Sequence, residues 1–344
     1  MSRWAVVLAG GVGSRFWPLS TPSRPKQFLP LVDDRPLLVA ALDRMEPLVP
    51  ASRTLILTNA SLRDAVRQHA PRVPAQNIIA EPRPVGTGGA LAWAATEIER
   101  REGAQAVMIS IHADWAIGDD AGFRAVLDQA ATIAEQQRAL VTVGVVPTRP
   151  DTGFGYVRPG SALAGGGFRV DRFVEKPDRG SAERMITEGA LWNSGIFAWR
   201  VGDFLAEVRA LTPELAPALE AANGSADRYF RAATPVTVDV GVLERSTNVV
   251  VLPGSFDWDD VGTWGALARV RPRDTRGNAA SGPVVLVDSH DNVVHAEGTD
   301  VVLYGVRDLV VVVKDGLTLV TTKESATDLK TLIANLPPSL RDRE

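Results

Sequence analysis

Between residues 4 and 146, short β-branched apolar runs alternate with longer amphipathic stretches, and nothing else in the chain restricts its fold as tightly. The runs 4–8, 53–58, 105–110 and 140–146 read as strands. The segments 36–47, 61–70, 87–101 and 120–137 carry apolar residues at helical spacing and read as crossover helices. Parallel strands joined in this way need helices on both faces, so the pattern predicts an α/β fold built on a doubly wound, mostly parallel sheet. In such folds ligands lie beyond the carboxyl ends of the strands, which directs attention to the loops at 9–26, 80–90, 111–118 and 174–195.

The pattern then changes twice. Residues 157–174 read as a β-ribbon around Gly165-Gly166-Gly167, followed by helices at 180–188 and 201–222. The charged, turn-rich stretch Arg271–Asn278 marks a boundary near residue 275, dividing the chain into domains 1–275 and 276–344. Beyond it, valine-rich runs at 284–287, 292–294, 301–304, 309–313 and 317–321 leave no room for crossover helices, so a small β-rich domain of one or two solenoid coils is expected. A terminal helix over 324–335 closes the chain. The valine-rich edges need covering, either by the first domain or by a second subunit, and a homodimer is the expected assembly.

Composition narrows the partners. A net charge of −4 from 37 basic and 41 acidic residues excludes a broad nucleic-acid surface, so any phosphate site must be local. The absence of cysteine excludes disulfides, thiolate metal sites and cysteine nucleophiles, and fits a reducing compartment. The apolar run 4–9 is too short for a signal peptide, and no stretch reaches the roughly 18 apolar residues of a membrane span. A cytoplasmic protein without a membrane partner is expected.

The local phosphate site is visible at the end of the first strand, in Leu8-Ala9-Gly10-Gly11-Val12-Gly13-Ser14-Arg15, continuing to Lys26. Three glycines let bare backbone N–H groups curl around phosphate oxygens, and Arg15 and Lys26 add fixed positive charge. Other glycine-loop chemistries fail on detail. A P-loop needs Gly-Lys-Ser/Thr after a four-residue gap, and a dinucleotide fingerprint needs Gly or Ala where Phe16 stands.

The run from Leu8 to Leu29 resembles the signature of bacterial mannose-1-phosphate guanylyltransferases, also called GDP-mannose pyrophosphorylases. The resemblance continues in order through Pro147–Tyr156, Phe173-Val174-Glu175-Lys176-Pro177, Leu191–Phe197 and Phe256–Trp264. It implies a Rossmann-like nucleotidyltransferase fold that joins GTP to mannose 1-phosphate with Mg2+, giving GDP-mannose and pyrophosphate. On this resemblance Arg15 and Lys26 would act on the triphosphate, and Lys176 on the sugar's phosphate. Asp114 and Asp260 would hold the metal, and two carboxylates suffice because magnesium keeps water and substrate phosphate as its other ligands. Gly155, Glu175 and Asn193 would form the sugar site. Leu8, Ala9, Gly10, Gly11, Gly13, Ser14, Glu81 and Thr87 would line the nucleotide, with Glu81 able to accept from guanine N1–H and the exocyclic amine.

Two segments depart from the family pattern. Relatives read Arg-Asn-Thr-Ala-Pro where this chain has Val85-Gly86-Thr87-Gly88-Gly89, and Pro-Ala-Asp-His where it has His112-Ala113-Asp114-Trp115. The first departure leaves a thymidylyl-, uridylyl- or adenylyltransferase open. A non-catalytic regulatory homologue is the other alternative, against which stands retention of every charged position named above. About 70 residues without a histidine cluster do not house an isomerase domain, so one activity is expected.

Overall fold

The computed structural model describes residues 1–11 and 14–341, with Ser14 described in its backbone only. The strands in chain order are β1 (Arg3–Leu8), β2 (Thr54–Asn59), β3 (Ile78–Glu81), β4 (Val107–His112), β5 (Ala116–Ile117), β6 (Leu140–Val145), β7 (Tyr156–Ala162), β8 (Phe168–Val174), β9 (Leu191–Arg200) and β10 (Val249–Gly254). After the two-residue β11 (Trp258–Asp259) come β12 (Ala279–Ser281), β13 (Val284–Val287), β14 (Val293–Ala296), β15 (Val301–Tyr304), β16 (Leu309–Lys314) and β17 (Leu317–Thr322). The four expected crossover helices are α1 (Leu37–Met45), α2 (Arg63–His69), α3 (Gly86–Glu102) and α4 (Asp120–Gln137). The chain gathers into two compact units, Met1–Gly10 with Leu42–Ala113 and Asp119–Trp258, and Gly11–Ala41 with Asp114–Gly118 and Asp259–Glu344.

The first unit is built on a nine-stranded sheet in the order β3-β2-β1-β4-β9-β6-β10-β8-β7. Strands β3, β2, β1 and β4 run parallel, as the alternating pattern predicts. Beyond them the sheet is mixed, because β9 pairs antiparallel with both β4 and β6. The stretch 174–195, expected as a loop, ends in this strand. Nine of the ten β9 residues are buried, so its apolar side chains demand cover on both faces and place it centrally. Strands β7 and β8 form the expected ribbon, turning through Gly165, Gly166 and Gly167, all at positive φ. The core gathers Trp4, Val6, Leu55, Leu91, Trp93 and Trp199, with Trp93 stacked on Tyr229 at 5.2 Å between ring centroids.

In the second unit β12, β14 and β16 stack parallel, as do β13 and β15, so successive valine runs form coils of a β-helix. Antiparallel β17 ends the stack on β16. Buried asparagines bind successive coils together, Asn278 Oδ1 accepting from the Asn292 main chain and Asn292 Oδ1 from Leu309 N at 3.0 Å. The core of this unit also takes in Phe16, Trp17, Leu29 and Leu31 from the glycine-loop segment, packed with Trp264, Val293, Val310 and Val312. Phe16 and Trp264 lie 5.2 Å apart, and Trp264 Nε1 donates to Trp17 O at 3.2 Å.

Candidate functional site

Strand β1 ends with Leu8 buried and leads into Ala9 and Gly10. Their carbonyls accept from Thr58 Oγ1 at 3.0 Å and Asn59 Nδ2 at 2.7 Å, two side chains at the end of β2 that no sequence motif singled out. These bonds hold the first part of the loop against the sheet. A Cβ placed on Gly11 would meet nothing within 4 Å, so packing among the described residues does not require that glycine. Gly13 lies outside the described residues, as does the Ser14 side chain.

The second unit gathers Arg15, Lys26, Asp114 and Asp260. Arg15 is exposed, and the fully buried Phe16 that follows it anchors the backbone. Lys26 opens a single 3-10 turn, Lys26–Phe28, and is itself buried. Its ammonium donates to Asp114 Oδ2 at 3.0 Å and to the Asp260 carbonyl at 2.6 Å. A buried ammonium costs several kcal/mol unless its donors are satisfied, so these contacts fix Lys26 in place. Gln27 Nε2 donates to Gly11 O at 3.0 Å and ties the same turn to the glycine loop.

Among the three acids at 257–260, the surroundings separate the roles. Asp259 accepts Val261 N at 2.8 Å and takes the Arg269 guanidinium with both oxygens, at 2.7 and 3.2 Å. Asp257 belongs to the first unit and is exposed. Asp260 is the one beside Lys26. A Cβ on Gly262 would lie 2.6 Å from Asp260 Oδ2 and 3.4 Å from Arg15 Nη1, so the bare glycine lets carboxylate and guanidinium approach the same point. Burial raises the Asp260 pKa; Lys26 lowers it, Asp259 and Asp114 raise it, and Arg269 lowers it.

The Asp114 carboxylate is near enough to raise the Asp260 pKa and accepts from the same ammonium that reaches the Asp260 carbonyl, and two such acids are a donor set that fits a divalent metal. Among the described residues no group of three or more His, Cys, Asp or Glu is placed to hold a metal without other ligands. Oxygens from substrate and water would therefore complete the coordination.

In the first unit the structure brings Gly155, Glu175, Lys176 and Asn193 together. Lys176 follows β8 at φ +48°, a left-handed position uncommon for a lysine, and pairs with Glu175. A Cβ on Gly155 would stand 2.6 Å from Glu175 Oε2, which explains the glycine by the carboxylate's position. Asn193, within the stretch expected as a loop, lies instead in β9, where its N–H donates to Gly155 O at 2.8 Å. Its side chain is buried, with Oδ1 accepting from Thr142 Oγ1 and Nδ2 donating to Asp239 Oδ1, both at 2.7 Å.

Asp239 was not marked by any motif. It opens a π-helical turn, Asp239–Leu243, a local form that often accompanies functional sites. Burial, then the nearby Glu175 charge, pushes its carboxyl up to about 6. The sequence signal was a lone acid within the apolar run Pro235–Leu243.

Glu81 closes β3 and is buried, and desolvation raises its carboxyl to about 7 despite a main-chain hydrogen bond from Val85. The unusual turn after it has a structural reason. Gly86 adopts φ +77°, and a Cβ there would stand 2.3 Å from Val236 O. Segment 236–238 lies across the start of α3, with Val236 N bonded to Val85 O, Gly88 N to Val236 O at 3.1 Å, and Val238 N to Thr87 Oγ1 at 3.1 Å. The Thr87 hydroxyl thus accepts from this segment.

Comparisons with known proteins agree with this architecture. A family model described as Nucleotidyl transferase matches residues 4–277, and one described as MannoseP isomerase/GMP-like beta-helix domain matches 282–336. The xanthan biosynthesis protein XanB of Xanthomonas campestris pv. campestris (strain ATCC 33913) is 35% identical, the alignment covering 96% of this chain and 72% of that protein. The mannose-1-phosphate guanylyltransferase of Escherichia coli (strain K12) is 34% identical over 97% of this chain and 73% of its own length. A solved structure from Thermus thermophilus, named mannose-1-phosphate geranyltransferase, superposes with a TM-score of 0.91 at 35% identity, covering 97% of this chain and 99% of that one. Among the described residues no helix is long and apolar enough to cross a membrane.

Proposed function

The chain belongs to the mannose-1-phosphate guanylyltransferase family of nucleotidyltransferases, and from that premise we propose that it transfers GMP from GTP to α-D-mannose 1-phosphate. An oxygen of the sugar phosphate forms the new bond at the α-phosphorus. The bond from that phosphorus to the bridging oxygen breaks, and pyrophosphate leaves with the electron pair. The nucleophile is already an anion, so the protein's task is to place two polyanions and offset their charge.

Arg15 and Lys26 are assigned to the triphosphate, Arg15 as a planar fork and Lys26 as a fixed point charge. The observation that carries the assignment is the Lys26 ammonium held between Asp114 and the Asp260 carbonyl. Asp114 and Asp260 would hold magnesium, which when bound neutralises charge on the phosphoryl oxygens. Lys176 is assigned to the sugar's phosphate, and Glu175, Asn193 and the bare backbone of Gly155 to the hexose. The main chain at Leu8, Ala9, Gly10, Gly11, Gly13 and Ser14, with Thr87, is assigned to the nucleotide. Glu81, ionised, would accept from guanine N1–H and its exocyclic amine. Residues 1–275 are taken as the catalytic domain, the cytoplasm as the compartment and a homodimer as the assembly.

The test is pyrophosphate release with magnesium, crossing GTP, ATP, UTP and dTTP with mannose 1-phosphate and glucose 1-phosphate. GTP with mannose 1-phosphate is expected to give the highest kcat/KM. A preference for another nucleotide would refute the role of Glu81, and no release with any pair would leave a binding protein without turnover.

A further inference from the structure

Asn193 can meet a sugar in either of two ways, because its amide has a donor end and an acceptor end of nearly equal shape. The Thr142 hydroxyl does not decide between them: 2.7 Å from Asn193 Oδ1 and 3.4 Å from Ile196 O, it could donate to the amide oxygen, or donate to the Ile196 carbonyl and accept from an amide nitrogen. Asp239 does decide. An ionised carboxylate only accepts, so the amide end facing Asp239 Oδ1 at 2.7 Å must be the nitrogen, and the end facing Thr142 must be the oxygen.

Asp239 is held in turn from outside its own helix. The three hydrogen bonds between 236–238 and the start of α3 set the chain that leads into it. Added Cβ atoms at Gly86 and Gly88 would stand 2.3 and 2.9 Å from Val236 O, so only glycines allow that approach. At the other end of the π-turn, Glu244 N bonds to Asp239 O at 2.8 Å, while Glu244 Oε1 accepts Glu175 N at 3.0 Å.

We propose that Asp239 is a positioning residue for the sugar phosphate, fixing the donor and acceptor ends of Asn193, and that the glycine turn at 86–88 holds Asp239 in register. The inference rests on the assignment of Asn193 to the hexose. It gives the chain's departure at 85–89 a task on the sugar side.

Asp239→Asn removes the closer constraint, since an amide at 239 can face either end of Asn193 and only the long Gly195 N–H contact is left. The KM for mannose 1-phosphate is expected to rise at least tenfold, with the KM for GTP and the kcat within about threefold of the parent. Added to Asn193→Ala, Asp239→Asn is expected to raise that KM no further, because a residue acting through Asn193 has nothing left to act on. Gly88→Ala should raise the same KM as well, through displacement of 236–238.

An unchanged KM in Asp239→Asn overturns the proposal. So does a multiplicative effect in the double variant, which would put Asp239 on the sugar itself, or an equal rise in the KM for GTP. Gly88→Ala, which leaves the Asp239 carboxylate in place and displaces only the segment that leads into it, keeps the proposal open to refutation if Asp239→Asn fails to fold, because an unchanged KM for mannose 1-phosphate there also overturns it. If the parent enzyme turns over mannose 1-phosphate and these variants match it, only this inference falls; if the parent shows no turnover, the functional assignment falls first.

Discussion

The two lysines assigned to phosphate are held in opposite ways. The Lys26 side chain is 7% exposed and tied to Asp114 and a main-chain carbonyl, whereas that of Lys176 is 60% exposed and paired with its neighbour Glu175. A buried ammonium is preorganised and contributes to the fold. An exposed one keeps its freedom to turn towards a ligand and contributes little stability. The two positions should therefore fail differently when altered.

The largest effect is expected at Lys26. Lys26→Met leaves Asp114 and Asp260 without their shared cation, and kcat should fall roughly 10²–10³-fold. Stability should fall by roughly 2–3 kcal/mol, below the usual range for breaking a buried pair because Asp114 is about one-third exposed. Chemical denaturation beside steady-state rates checks both, and an unchanged midpoint would break the contrast with Lys176.

Asp114→Asn comes next. Its amide oxygen can still accept from Lys26, so the fold should hold within about 1 kcal/mol, while the metal loses a charged ligand and turnover falls roughly 10²-fold. Near-normal turnover at saturating magnesium would move the metal elsewhere. Lys176→Ala should raise the KM for mannose 1-phosphate roughly ten- to a hundredfold without shifting the melting temperature. A shift of several degrees would show that the exposed lysine is structural after all.

The smallest effect sharpens the same distinction at a buried acid. The folded protein holds the Glu81 proton up to about pH 7, against 4.5 for the ordinary group. Between those values the folded state binds more protons than the unfolded state, so this group makes stability fall as pH rises through the window. Glu81→Gln should therefore stabilise the protein by roughly 1–3 kcal/mol at pH 8, the gain fading by about pH 4.5. Denaturation midpoints at the two pH values measure it, and an equal gain at both would assign the effect to packing.

Much of this was legible from residue order. The alternation in the first half foretold β1, β2, β4 and β6 and the helices between them, because period and length are local properties. The valine runs foretold the coils of the second unit for the same reason. The central antiparallel β9 was not foreseen, since a run of apolar residues names no partner strand. Phe16 served in the sequence to exclude a dinucleotide loop, and only packing revealed it as the buried anchor beside Arg15.

The sequence by itself determined the chemical inventory: a glycine loop with Arg15 and Lys26, acids at 114 and 260, and the 155, 175, 176 and 193 positions, all carried by short contiguous motifs. The tertiary structure alone decided how these are supported. Lys26 meets Asp114 across 88 positions and Asp260 across 234, Asn193 meets Asp239 across 46, and Val238 meets Thr87 across 151. Such pairings leave no periodic trace in the chain. They form because a buried polar group must find a partner wherever folding brings one, and that requirement acts in space.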